Sequence, residues 1–145
     1  MKEYVLDASV GVKWSLDEED SDKAAGFLDL LDRRHIKIIV PELFYCEIGS
    51  AFWKAWKSKK IKFEEAIQSV DWILSFRFIR RRDSEFADVA LENAMQYKIS
   101  VYDAIYVSLA ETYLAPLITA DESLVRVCRA KGFDFIESLK EVKLP

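Results

Sequence analysis

Short apolar runs alternate with segments of helical period along the whole chain, and that alternation leaves few folds open. Tyr4-Val5-Leu6 ends at Asp7, Ile36-Lys37-Ile38-Ile39-Val40 stops at Pro41, Leu117-Ile118-Thr119 leads to Asp121, and Phe133-Asp134-Phe135-Ile136 follows Gly132. Each reads as a strand. Residues 9–16 read as a short helix and 20–34 as a longer one with Ala24, Phe27, Leu28 and Leu31 on one face. Residues 42–58 carry a stripe of Phe44, Ile48, Ala51, Phe52 and Ala55, and 63–76 turn Phe63, Ile67, Val70, Ile73 and Leu74 inward. Residues 84–98 repeat the period through Phe86, Val89, Ala90, Ala94 and Tyr97, and 122–131 form a last helix. Residues 101–114 are apolar almost all round, which predicts a buried helix, although the pattern from Val101 to Val107 also tolerates a strand; 76–79 are compatible with a short strand or a helix end. Strands separated by helices pair in parallel through right-handed crossovers. The expected class is α/β, a three-layer α/β/α sandwich around a central, mainly parallel sheet, with its ligand crevice at the carboxyl ends of the strands.

The 145 residues suit one domain spanning 1–145, and 51% hydrophobic with 32% charged residues excludes a disordered chain. The amino terminus reaches Asp7 before any apolar region of signal length, and no stretch approaches the ~20 apolar residues of a membrane span, so a cytoplasmic protein is expected. Cys46 and Cys128 stand far apart in apolar surroundings and read as buried, reduced thiols; with His35 the only histidine, zinc and triad chemistry lack support. No Gly-rich phosphate loop is present. A net charge of −4 weighs against broad phosphate binding. It weighs less against a metal-dependent nuclease, whose clustered carboxylates count as negative until cations arrive.

Four acids stand out. Asp7 and Asp121 sit at strand ends, where each reads either as a helix N-cap or as a site residue. Glu47 falls within the apolar stripe of its helix, which implies a buried ion pair with Lys or Arg, an edge position reaching water, or a cation. Asp103 is the only charged residue between Ser100 and Ala110; a cap and a cation-binding role both fit. Oxygen-rich sites without His or Cys suit Mg²⁺ or Mn²⁺, and such ions handle phosphate esters.

The same residues carry a family resemblance. Tyr4-Val5-Leu6-Asp7-Ala8-Ser9 resembles the opening strand and acid of the PIN-domain family. The run from Val40 and Pro41 to Glu47 is similar to its second motif, Ser100 to Asp103 to its third, and Thr119-Ala120-Asp121 to its fourth. Order and spacing agree from residue 3 to about 136, and the compact chain looks like the VapC-like toxins of that family. Ser50 departs from the pattern, since VapC-like sequences often place Asn three residues after the second acid. Glu42 is a rival for the second acid, although the motif favours Glu47.

The resemblance implies a metal-dependent endoribonuclease leaving 3′-hydroxyl and 5′-phosphate ends. Asp7, Asp103 and Asp121 would hold Mg²⁺ or Mn²⁺, with Glu47 ligating directly or through water; Ser9, Thr119, Ser50 and Glu122 would support them. It also implies a small antitoxin covering the site and a homodimer or higher oligomer. Lys54, Lys57, Lys59, Lys60 and Lys62, with Arg80, Arg81 and Arg82, offer phosphate contacts or simply a solvated surface. Trp14, Trp53 and Trp56 offer base stacking, with packing or an interface as the plainer reading. Two alternatives stay open: a catalytically silent PIN-fold module that binds RNA or protein, and an RNA-processing nuclease outside toxin–antitoxin biology. A phosphatase reading fails because the first strand ends in Asp7-Ala8-Ser9 rather than Asp-x-Asp.

Overall fold

The computed structural model describes residues 1–145. Its strands are β1 (Lys2–Leu6), β2 (Ile36–Pro41), β3 (Ile79–Arg81), β4 (Leu117–Thr119) and β5 (Ile136–Ser138). The α-helices are α1 (Ala8–Gly11), α2 (Ser21–Asp32), α3 (Leu43–Lys57), α4 (Phe63–Leu74), α5 (Ala87–Tyr97), α6 (Val101–Tyr113) and α7 (Glu122–Ala130). The strands form one sheet in the order β3-β2-β1-β4-β5, and every neighbouring pair is parallel. The α/β sandwich expected from the alternation is therefore what forms.

The chain starts at the middle of this sheet, builds outward to β3, then returns through α5 and α6 to lay β4 on the other side of β1. The winding direction reverses between β1 and β4, which is where open parallel sheets form their crevice. Val5 and Leu6 stand in register with Leu117 and Ile118, so the two strands end side by side. The residues that follow them, Asp7 and Asp121, emerge at the same edge.

A core of 33 buried residues runs through both faces of the sheet. Helix α6 packs on β1, β2 and β4. Its residues from Ala104 to Ala110 are all buried, which accounts for a sequence that is apolar almost all round. Gly11 matters at one close approach. A Cβ there would lie 2.7 Å from both Ile48 and Phe44, so only glycine lets α1 press against α3. That contact brings the strand end carrying Asp7 to the helix carrying Glu47.

Several expectations need correction. Of the five residues expected to point inward from α4, Ile73 is buried and Val70 half-buried, whereas Phe63, Ile67 and Leu74 are exposed. The helix packs chiefly on α3 rather than on the sheet, so much of its apolar face lacks a cover within the chain. Val89 is likewise exposed on α5. Cys46 is exposed, and only Cys128 is a buried thiol. The last strand begins at Ile136 rather than Phe133: Gly132 turns the chain at φ 90, Phe133 packs on Tyr97, and Phe135 faces outward. The open segment at 76–79 resolves into the approach to β3, whose Arg81 pairs with Pro41 at the end of β2. A proline there removes no central ladder bond. No helix is long and apolar enough to cross a membrane.

Candidate active site

Asp7 continues β1 by one residue, its N–H donating to the carbonyl of Ile118 at 3.0 Å. It occupies the N-cap position of α1, yet its side chain makes no capping bond. Both neighbouring hydroxyls converge instead on its Oδ2: Ser9 Oγ at 2.7 Å and Thr119 Oγ1 at 2.7 Å. Each hydroxyl has one proton to give, and here both give it to Asp7. They accept in turn from the backbone of the β4 end, Ser9 from Ala120 N–H at 3.0 Å and Thr119 from Asp121 N–H at 3.0 Å. Two hydroxyls thus lace the ends of β1 and β4 around a carboxylate that is only 7% exposed. Burial raises the Asp7 pKa, the hydroxyl bonds offset part of that rise, and the charge on Asp121 adds to it.

Asp121 caps α7, its Oδ1 accepting from Leu124 N–H at 3.1 Å, and remains exposed. Asp103 is not a cap. Ser100 fills that role for α6 and accepts from the Asp103 N–H at 3.1 Å. Burial pushes the Asp103 carboxyl up to about 6, with the charges of Asp7 and Asp121 adding to the shift and a hydrogen bond with the Ser100 side chain opposing it. Glu47, in the second turn of α3, has no Lys or Arg partner. Its Oε1 accepts from the hydroxyl of Tyr106 at 2.7 Å. Burial raises its pKa, the Tyr106 bond opposes the rise, and the charges of Asp7, Asp103 and Asp83 reinforce it.

The four acids therefore lie within electrostatic reach of one another, on two strand ends and two helices. None of them takes part in an ion pair, although six ion pairs occur elsewhere in the molecule. Negative charge gathered without a counter-charge, and with oxygen as the only donor, fits a hard divalent cation. No group of three or more carboxylates is drawn close enough to form a finished ligand set.

The remaining sequence candidates divide. Ser9 and Thr119 contact Asp7 directly. Glu122 accepts from the hydroxyl of Ser138 on β5. Ser50 is exposed and makes no side-chain hydrogen bond. Lys54 and Lys60 line a hollow of about 530 Å³ with Ser15, Asp17 and Glu18. Lys57 lies over the Trp53 ring, Arg80 over the Tyr45 ring, and Arg81 pairs with Glu85 at 2.5 Å. Lys59, Lys62 and Arg82 are exposed on the surface. Trp14 is packing: it stacks on Phe78 and donates to the Ala24 carbonyl at 2.9 Å. Trp53 and Trp56 are exposed and border an apolar groove between α3 and α4.

Sequence reasoning missed two residues near the acids. Tyr106 was hidden by its apolar surroundings; the signal was a tyrosine hydroxyl one turn after Asp103 in a buried helix, where it must find an acceptor. Asp83 accepts from Leu43 N–H at 3.1 Å and ties the start of α3 to the end of β3. Nothing in its local sequence announces that contact across 40 residues.

The PIN domain family model matches residues 4–130. No curated protein matches the chain. Among solved structures, PAE2754 of Pyrobaculum aerophilum is similar with a TM-score of 0.72 and 25% identity, over 96% of this chain and 85% of that one. VapBC2 of Rickettsia felis, bound to a DNA fragment from their promoter, gives a TM-score of 0.63 and 19% identity over 94% of this chain and 98% of that one. A toxin–antitoxin complex from Klebsiella pneumoniae gives 0.62 and 14% over 96% and 99%. The last two are likenesses of fold. The family match runs from β1 to the end of α7 and takes in every element that bears one of the four acids, so the chain belongs to the PIN domain family.

Proposed function

We propose that this chain is a single-domain, Mg²⁺- or Mn²⁺-dependent endoribonuclease, the VapC-like toxin of a toxin–antitoxin pair. The observation that carries the reading is the set of four carboxylates, Asp7, Glu47, Asp103 and Asp121, at the switch point between β1 and β4 with no cationic partner. Membership of the PIN family supports the same chemistry.

In this reading Asp7, Asp103 and Asp121 hold the cation and Glu47 completes its surroundings. A bound divalent ion supplies Lewis acidity for activating water and for stabilising the leaving oxygen of a phosphodiester. The chain's own part is orientation. Ser9 and Thr119 occupy one oxygen of Asp7 and leave the other for the cation, and Ser100 caps the helix that carries Asp103. Exposed Lys54, Lys57 and Arg82 attract RNA phosphates toward a crevice that would otherwise repel them.

The antitoxin is read as a small protein that covers the crevice. Support comes from the toxin–antitoxin complexes that share the fold, and from the groove of about 290 Å³ lined by Phe52, Trp53, Trp56, Phe63 and Ile67. The same unpaired apolar surface supports a homodimer or higher oligomer.

The test is cleavage of a mixed structured RNA by the purified protein, with Mg²⁺ or Mn²⁺ and with EDTA, beside Asp7→Asn. Expected is metal-dependent cutting that falls by more than about 100-fold in the variant, beyond the loss typical of a supporting residue. Folded protein free of antitoxin that cuts nothing with either metal would sink the nuclease reading.

A further inference from the structure

We propose that Tyr106 is a positioning residue for the carboxylate centre, its buried hydroxyl fixing which oxygen of Glu47 faces the crevice. The inference rests on the metal-centre reading above and assigns to that centre a residue from the core.

Tyr106 is fully buried, and its hydroxyl donates to Glu47 Oε1 at 2.7 Å, joining α6 to α3 across 59 residues of sequence. It stands three residues after Asp103, so one face of α6 presents an acid and, a turn later, the donor that holds an acid of another helix. The opposite side of the same helix shows what a purely structural hydroxyl does there. Ser108 donates to the Ala104 carbonyl within α6 and accepts from Asn93 of α5, a closed arrangement that reaches no site residue. Tyr106 gives its only proton to Glu47 instead.

The choice of donor is informative. Lys or Arg is the usual partner of a half-buried Glu, and either would cancel the charge that attracts a cation and occupy its place. A phenol holds the side chain without adding positive charge. Glutamate has three side-chain torsions to fix. Here its helix is tied at one end by Leu43 N–H to Asp83 at 3.1 Å, and its carboxylate is tied at the other end by Tyr106. Oε2 takes no hydrogen bond from the protein and is the oxygen left to meet a cation or its water.

Tyr106→Phe removes one oxygen atom and keeps the ring that fills the core. Mn²⁺ binding to the folded protein, measured by calorimetry without RNA, reads the proposal directly. Expected is a Kd weakened by about 10-fold, with melting still cooperative. That loss is expected to vanish on a Glu47→Ala background, because the hydroxyl acts only through Glu47. An unchanged Kd in Tyr106→Phe, or the same loss with Glu47 already removed, overturns the proposal. Wild-type protein that binds no Mn²⁺ overturns the metal reading itself, and this inference with it; the wild-type curve alone distinguishes that failure. Should Tyr106→Phe not fold, the wild-type chain carries the test through a ¹³Cζ-tyrosine label. The Tyr106 resonance is expected to shift on adding Mg²⁺ and to lose that response in Glu47→Ala, and a resonance indifferent to Mg²⁺ overturns the proposal.

Discussion

Helix α3 carries two surfaces of opposite character. In its second turn Glu47 joins Asp7, Asp103 and Asp121 in a crevice where charge has no counter-charge. Two turns further on, Trp53 and Trp56 join Phe63 and Ile67 of α4 in a groove where apolar area has no cover. The crevice is built: the hydroxyls of Ser9 and Thr119 hold Asp7, a phenol from the core holds Glu47, and Ser100 caps the helix that carries Asp103. The groove is bare: Trp53, Trp56, Phe63 and Ile67 along it are all exposed. Unsatisfied charge is costly and persists in a native fold only where surrounding groups over-determine it. Unsatisfied apolar area costs much less when solvated and needs no such scaffolding. The two regions differ in how strongly the fold has committed to them.

The largest effect expected from breaking this contrast lies at the boundary between groove and core. Ile73 is the one residue of α4 that is fully buried. Ile73→Ala is expected to cost about 2–5 kcal/mol, the range for deleting a core side chain, measured by urea unfolding. A loss below about 1 kcal/mol would mean that α4 as a whole is loosely held, and that the groove is one edge of a mobile helix rather than a surface on a firm one.

That boundary is also where sequence reading reaches its limit. The period of 63–76 correctly predicts an amphipathic helix, but a period reports an apolar face and not what covers it. Phe63 and Ile67 carry the same pattern as Ile73 and are exposed. The strands were legible because β1, β2 and β4 are buried toward their carboxyl ends and show there as apolar runs. The last strand slipped to Ile136 because Phe133-Asp134-Phe135 alternates as a strand does while its first ring packs off the sheet. Among the acids, Asp103 was conspicuous as a lone charge in a buried helix. Tyr106 and Asp83 were not, because their partners lie 59 and 40 residues away and only the closed fold brings them together.

The second prediction sharpens the electrostatic side. Burial and the neighbouring charges of Asp7 and Asp121 raise the folded-state pKa of Asp103 from 3.8 to about 6. The folded protein therefore holds a proton in that window that the unfolded chain has released. Its contribution to stability is present below about pH 4 and is lost as pH rises through about 6. Asp7 and Glu47 are shifted in the same direction and add to the trend. In EDTA, melting temperature is expected to fall as pH rises from 4 to 7, and Mg²⁺ to restore it at the upper end. Asp103→Asn should flatten the profile and leave the metal-free protein more stable than wild type at neutral pH, as happens when a residue kept for function is removed. A wild-type profile that rises over that range, with the variant less stable at neutral pH, would mean that the crevice is not strained by its own charge.

The smallest effect on the fold is expected in the groove itself. Phe63 and Ile67 are 60% and 51% exposed, so replacing each with Ser removes contacts that are mostly with water. Each variant should shift unfolding free energy by no more than about 0.5 kcal/mol, the range for surface positions. Association should respond instead: in sedimentation runs the wild-type chain is expected to self-associate or to hold its partner more tightly than Phe63→Ser, Ile67→Ser or the double variant. If both substitutions destabilise the monomer as much as Ile73→Ala does, the groove belongs to the core after all. If they change neither stability nor association, the apolar face of α4 is no interface, and the contrast with the crevice reduces to one built surface and one that does nothing.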